Sequence, residues 1–147
     1  MEASGGWTFE QTASRAGYVT GPAFAGRRSL RTGIEAGADD AVSHSPALQS
    51  VTIPAGVVSA DLTGRVWHTT EDASGDRQEI LLLDGSRRTL AVLHQTRTAD
   101  ETWQPLRLDL AAYAGKTVTI YVNTFNDGDG LPSAMYLDDL RLVVCTR

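Results

Sequence analysis

The segment AMYLDDLRLVV, residues 134–144, reads as a β-strand with two carboxylates set into it. Strict alternation puts Tyr136, Asp138, Leu140, Leu142 and Val144 on one side, and Met135, Leu137, Asp139, Arg141 and Val143 on the other. Asp138 is therefore expected on the more apolar face. An ionised carboxylate removed from water is costly unless a charge or several donors meet it. The sequence leaves three answers open there: a cation, the guanidinium of Arg27 or Arg28, or solvent.

Working outward, the same strand signature recurs along the chain. GWTFEQT, SLRTGI, LQSVTIP, ADLTGRVWHT, QEILLLD, TLAVLHQT, TWQPLRLDL and TVTIYVNTF are all rich in β-branched and aromatic residues. With the terminal segment they make nine expected strands. The intervening EAGADD, EDASGD, DGSRR and NDGDG are turn chemistry, and none is long enough to divide the chain. Only DLAAYAG has any helical claim, and Gly115 limits it to a turn. Strands do not alternate with long helices, so a parallel sheet is excluded. The expectation is an all-β chain, a two-sheet antiparallel β-sandwich forming one domain over residues 1–147.

Composition narrows the function classes. The chain has 147 residues, enough to bury a core without disulfides or metals. Thirteen basic against 18 acidic residues give a net charge of −5, with no basic block beyond GRR and SRR, which argues against nucleic acid as a partner. No apolar run approaches the length of a membrane span, so no membrane insertion is expected. Cys145 is the single cysteine; it reads either as a lone thiol in the final strand or, given the abrupt MEASGGWTF start of a domain cut from a longer protein, as one whose partner lies outside this sequence. His44, His68 and His94 lack zinc-ligand spacing, and no G-x-S-x-G elbow is present. NDGDG lacks the further ligands and terminal Glu of an EF-hand and reads as a tight hairpin turn. No catalytic apparatus is evident, and the chain is expected not to be an enzyme.

Alternation also assigns outer faces. Leu62 and Val66 oppose Arg65 and Trp67, while Val118, Ile120 and Val122 oppose Thr119, Tyr121 and Asn123. Arg65, Trp67, Tyr121 and Asn123 are thus expected outside the core, either as ligand contacts or as ordinary decoration of a solvated sheet.

GWTFEQT, FAGRRSLRTGI, QSVTIPAG, TWQPLRLDLAAYAGKTVTIYVNTFNDG and AMYLDDLRL together resemble the galactose-binding-like jelly-roll modules appended to secreted bacterial enzymes and surface proteins, among them carbohydrate-binding modules. The resemblance spans nearly the whole chain. It implies a jelly roll, a secreted or cell-surface setting, and a noncatalytic accessory role, with a glycan or a neighbouring domain or protein as partner. It also implies one structural calcium held by Glu2, backbone carbonyls around Gly26 to Ser29, and Asp138 or Asp139. For a glycan, Trp67 or Tyr121 would supply a platform and Arg65, Gln78 and Asn123 hydrogen bonds, with Trp103 lining a loop-edge site or anchoring its strand. The rival class is a structural or protein-interaction module with no small-molecule ligand.

Overall fold

A computed structural model describes residues 6–146. Among the described residues are eleven strands, two more than the nine expected: β1 Thr8–Phe9, β2 Gly17–Val19, β3 Ser29–Gly33, β4 Val42–Ser43, β5 Ala47–Thr52, β6 Val57–Thr70, β7 Arg77–Leu83, β8 Thr89–Thr96, β9 Gln104–Asp109, β10 Thr117–Asp127 and β11 Ser133–Thr146. The two additions, β2 and β4, are three and two residues long. Strands so short carry too few alternating positions to show a period. DLAAYAG supplies one 3-10 turn, Ala111–Tyr113. No helix among the described residues is long and apolar enough to cross a membrane.

The strands form two antiparallel sheets. The first runs β1-β5-β10-β7-β8 with β4 paired to β10, and the second runs β2-β3-β11-β6-β9. Their inner faces share one core: Ile80, Leu82, Val118, Ile120 and Val122 from the first sheet meet Leu30, Leu62, Val66, Met135 and Leu137 from the second. The two-sheet sandwich expected from the strand pattern is thus the observed architecture. NDGDG does not close a hairpin, however. β10 and β11 belong to different sheets, and Asn126 spans the corner, donating to Ser133 O (3.1 Å) and accepting from Ser133 N (2.7 Å).

β11 departs from simple alternation at the carboxylates. Its register on β6 is continuous from Ser133 to Asp138, then shifts so that Arg141 faces Thr63. Asp139 takes a positive φ of 53° at this bulge. Gly64 lies opposite, and a Cβ there would stand 2.8 Å from Leu140 Cδ2 and 3.0 Å from Asp138 O. The extra residue reverses the faces that follow. Met135 and Leu137 point inward before it, and Leu140 and Leu142 pack against the core after it, so Asp138 sits on the outer face with Tyr136. The expectation that Asp138 shares a face with Leu140 and Leu142 is corrected by that one residue.

One edge of the sandwich is stitched by polar groups. His68 of β6, 4% exposed, bonds Asp100 through Nδ1 at 2.9 Å and meets His94 of β8, Nε2 to Nε2, at 3.0 Å. Two histidines distant in sequence thus meet between the sheets. Burial lowers the His94 pKa, the neighbouring His68 adds to the effect, and Asp100 opposes it.

Candidate functional site

The outer face of the first sheet carries an open cleft of about 480 Å³. It follows from alternation in two long strands. Tyr121, Asn123 and Phe125 project outward from β10, and Arg77, Glu79 and Leu81 do so from β7. The register pairs Tyr121 with Leu81, Asn123 with Glu79 and Phe125 with Arg77, which gathers these side chains into rows. Glu79 is only 5% exposed at the cleft floor. Its carboxylate accepts from Asn123 Nδ2 (3.0 Å) and Gln95 Nε2 (3.4 Å) and lies 3.5 Å from Arg77 Nε.

Rings complete the cleft. The Arg77 guanidinium lies 4.8 Å from the Phe125 ring centroid, and the His44 ring is 4.8 Å from the same ring. Burial pushes the Tyr121 phenol up to about 12, with Glu79 and Glu10 reinforcing the shift, so its hydroxyl stays neutral. Arg87, from the β7–β8 turn, lines this cleft and also a second one of about 480 Å³ beside it, and pairs with Glu10. Directed donors and acceptors around a neutral aromatic hydroxyl suit a hydroxylated ligand.

The outer face of the second sheet is different. The loop between β2 and β3 folds across it, with Phe24 packed on Trp103 (6.2 Å between centroids), Trp103 on Trp67 (5.7 Å), and Arg65 over Phe24 (4.8 Å). Asp138 anchors that loop. Fully buried, it accepts hydrogen bonds from the backbone N–H groups of Phe24 (2.8 Å), Ala25 (2.9 Å) and Asp139 (2.7 Å). Burial alone would raise its pKa, but hydrogen bonding, with the Ala25 N–H foremost and those of Asp139 and Phe24 contributing, holds the carboxyl below the usual carboxylate range.

Among the described residues, backbone donors thus meet the buried acid. Asp139 is 40% exposed and pairs with Arg141 at 2.9 Å. Glu2 lies outside the described residues.

A different carboxylate group gathers at one end of the sandwich. Asp72 and Asp76 from the β6–β7 loop meet Asp127 and Asp129, with one oxygen from each lying within 4.8 Å of all the others. Asp76 accepts from the Asp127 N–H (2.9 Å) and the Ser133 hydroxyl (2.6 Å). Burial pushes its pKa up to about 6, with Asp72 and Asp127 adding like charge. Gly75, at φ 104°, allows the approach: a Cβ there would lie 1.9 Å from Asp127 Oδ2. These four aspartates could hold a metal ion, and an all-oxygen donor set matches a hard cation.

The six expected ligand contacts do not converge. Tyr121 lines the first-sheet cleft and Asn123 lies beneath it, fully buried, while Arg65, Trp67 and Trp103 cluster on the opposite sheet. Gln78 is corrected outright. It lies on the inner face of β7, fully buried, and its amide donates to the carbonyls of Thr69 (2.9 Å), Thr98 (3.1 Å) and Ala134 (3.0 Å). Sequence reasoning missed His44, Arg77, Glu79 and Gln95, and also the four aspartates. Alternation in RQEILLL carried a signal for Arg77 and Glu79, and the spaced acids of EDASGD and NDGDG one for the cluster. Nothing in the sequence shows that those two loops meet.

No family model matches the chain, and no curated protein matches it. Solved structures do. The CBM22-1 xylan-binding domain of Paenibacillus barcinonensis Xyn10C is 18% identical at a TM-score of 0.60, over 98% of this chain and 88% of that one. TmCBM61, solved with β-1,4-galactotriose, is 14% identical at a TM-score of 0.61, over 94% and 88%. The C-terminal family 22 module of Clostridium thermocellum Xyn10B is 17% identical at a TM-score of 0.59, over 98% and 89%. Parts of enzymes are also similar, including an α-L-arabinofuranosidase at 14% identity, where the match spans 23% of that chain. At these identities the likeness shows the fold: the chain is a β-sandwich of the jelly-roll type found in these carbohydrate-binding modules.

Proposed function

We propose that the protein is a noncatalytic glycan-binding module, one accessory domain over residues 1–147 of a secreted or cell-surface protein, with its site in the cleft on the first sheet. One observation carries this reading: that outer face remains open and holds a neutral Tyr121 among Arg77, Glu79, Gln95 and His44. Hydroxyls and ring faces are the features such a surface pairs with. The neighbours described as binding xylan and β-1,4-galactotriose support the choice of ligand class. They also name the probes.

Isothermal titration with xylo-oligosaccharides and β-1,4-galacto-oligosaccharides tests it. The wild type binds at least one series, Tyr121→Ala weakens that binding roughly tenfold or more, about one good aromatic contact, and Trp67→Ala leaves it within twofold. Binding lost with Trp67→Ala and kept with Tyr121→Ala moves the site to the second sheet. A protein-contact role is the second reading, favoured by Phe24, which is 46% exposed on the Trp103 ring. Calcium is the cation we propose for the four-aspartate group, on its oxygen-only donor set.

A further inference from the structure

The cleft contains a residue whose chemical form is fixed by a backbone group. Ser45 N–H bonds the Asn123 side chain at 2.8 Å. A backbone N–H can only donate, so the amide atom it meets is the oxygen, and Nδ2 must lie on the other side. There Nδ2 has two neighbours, Glu79 Oε1 at 3.0 Å and His44 Nδ1 at 3.0 Å. Its two hydrogens satisfy both. His44 Nδ1 is therefore an acceptor, and the proton of the neutral ring sits on Nε2. The ring itself is exposed, lines the cleft and is held against Phe125, so Nε2–H is presented on the side away from buried Asn123.

The same amide fixes Glu79. One carboxylate oxygen is held by Asn123, while the other faces Gln95 and Arg77. Two residues that a ligand can touch are thus oriented by one it cannot reach. Charge at the cleft balances as well, since Arg77 lies against Glu79 and Arg87 against Glu10. Both arginines are matched by carboxylates, which disfavours a uronate and favours an uncharged ligand.

We infer that Asn123 is a positioning residue that locks His44 as the Nε2–H tautomer, and that His44 and Glu79 form a donor–acceptor pair reading the hydroxyls of a neutral glycan. This rests on the cleft being the glycan site. A single hydroxyl can accept from His44 and donate to Glu79, or two neighbouring hydroxyls can divide the roles. Either arrangement discriminates against a sugar lacking them, because such a sugar forgoes the hydrogen bonds to both groups.

The test has a ligand-free arm and a binding arm. In the free protein, ¹⁵N NMR of the histidine rings at neutral pH gives His44 as Nε2–H, and Asn123→Asp, which offers only acceptors, moves that proton to Nδ1. A wild-type Nδ1–H tautomer overturns the inference whatever the protein binds. In the binding arm, xylohexaose and β-1,4-galactotriose are titrated into the wild type and His44→Phe, which keeps a ring on Phe125 and removes the donor. Thermal melts check both variants for folding, and His44→Phe, at an exposed position, remains informative if Asn123→Asp does not fold. A tenfold or greater loss with His44→Phe supports the donor role, and unchanged affinity overturns it. If the tautomer is Nε2–H and neither probe binds the wild type, the glycan reading of the cleft fails and the His44–Glu79 role falls with it, a result distinct from a wrong tautomer.

Discussion

Asp138→Ala removes the acceptor of three backbone N–H groups, those of Phe24, Ala25 and Asp139. Hydrogen bonds to a charged group contribute about 1.5–3 kcal/mol each, and the loop can recover part of that loss by admitting water, so the expected destabilisation is about 3–5 kcal/mol. For a chain of this length that corresponds to a fall in Tm of roughly 6–20 °C. The acid limb changes too. Because the folded carboxyl titrates below its unfolded value, its stabilisation is complete above that unfolded value near 4 and is lost as pH falls through the folded one. Urea melts at neutral pH and along an acid series measure both effects. Wild type should weaken below about pH 4 more steeply than the variant. Two results refute the reasoning: a loss under about 1 kcal/mol, or a calcium-dependent rise in Tm that Asp138→Ala abolishes, which would put the cation where the N–H donors are.

Three further outcomes are expected. His94 titrates below its ordinary value in the folded state, so its contribution is complete above the unfolded value of about 6.5 and is lost as pH falls; melts between pH 8 and 5 should decline more for wild type than for His94→Gln. Asp76, raised to about 6, favours the folded state when protonated, a gain lost as pH rises from about 4 to 6. Calcium should therefore raise Tm more at pH 7.5 than at pH 5 by mass action, and Asp76→Asn should shrink that response, as followed by calorimetry. Gly64→Ala drives a Cβ against Leu140 Cδ2 and the Asp138 carbonyl, and should cost about 1–3 kcal/mol in chemical denaturation.

Alternation by itself determined the sandwich and most of its faces. Val118, Ile120 and Val122 turn inward and Tyr121 outward because a strand's side chains alternate whatever lies beyond it. The one-domain all-β reading followed from the same local physics, and the structure bears out its fold. What alternation could not supply was any relation between residues distant in the chain. The bulge at Asp139 depends on Gly64, some 75 residues earlier, and it reversed the faces of Leu140 and Leu142. Gln78 reads as an exposed polar residue until three distant carbonyls surround its amide. The meeting of Asp72 with Asp127, the capture of His44 and Glu79 by Asn123, and the approach of the Phe24 loop to Asp138 are likewise consequences of two sheets packing in one register. Periodicity is a property of neighbouring residues and survives in the sequence. Hydrogen bonds and close charges form between atoms a few ångströms apart, and only the folded chain brings those atoms together.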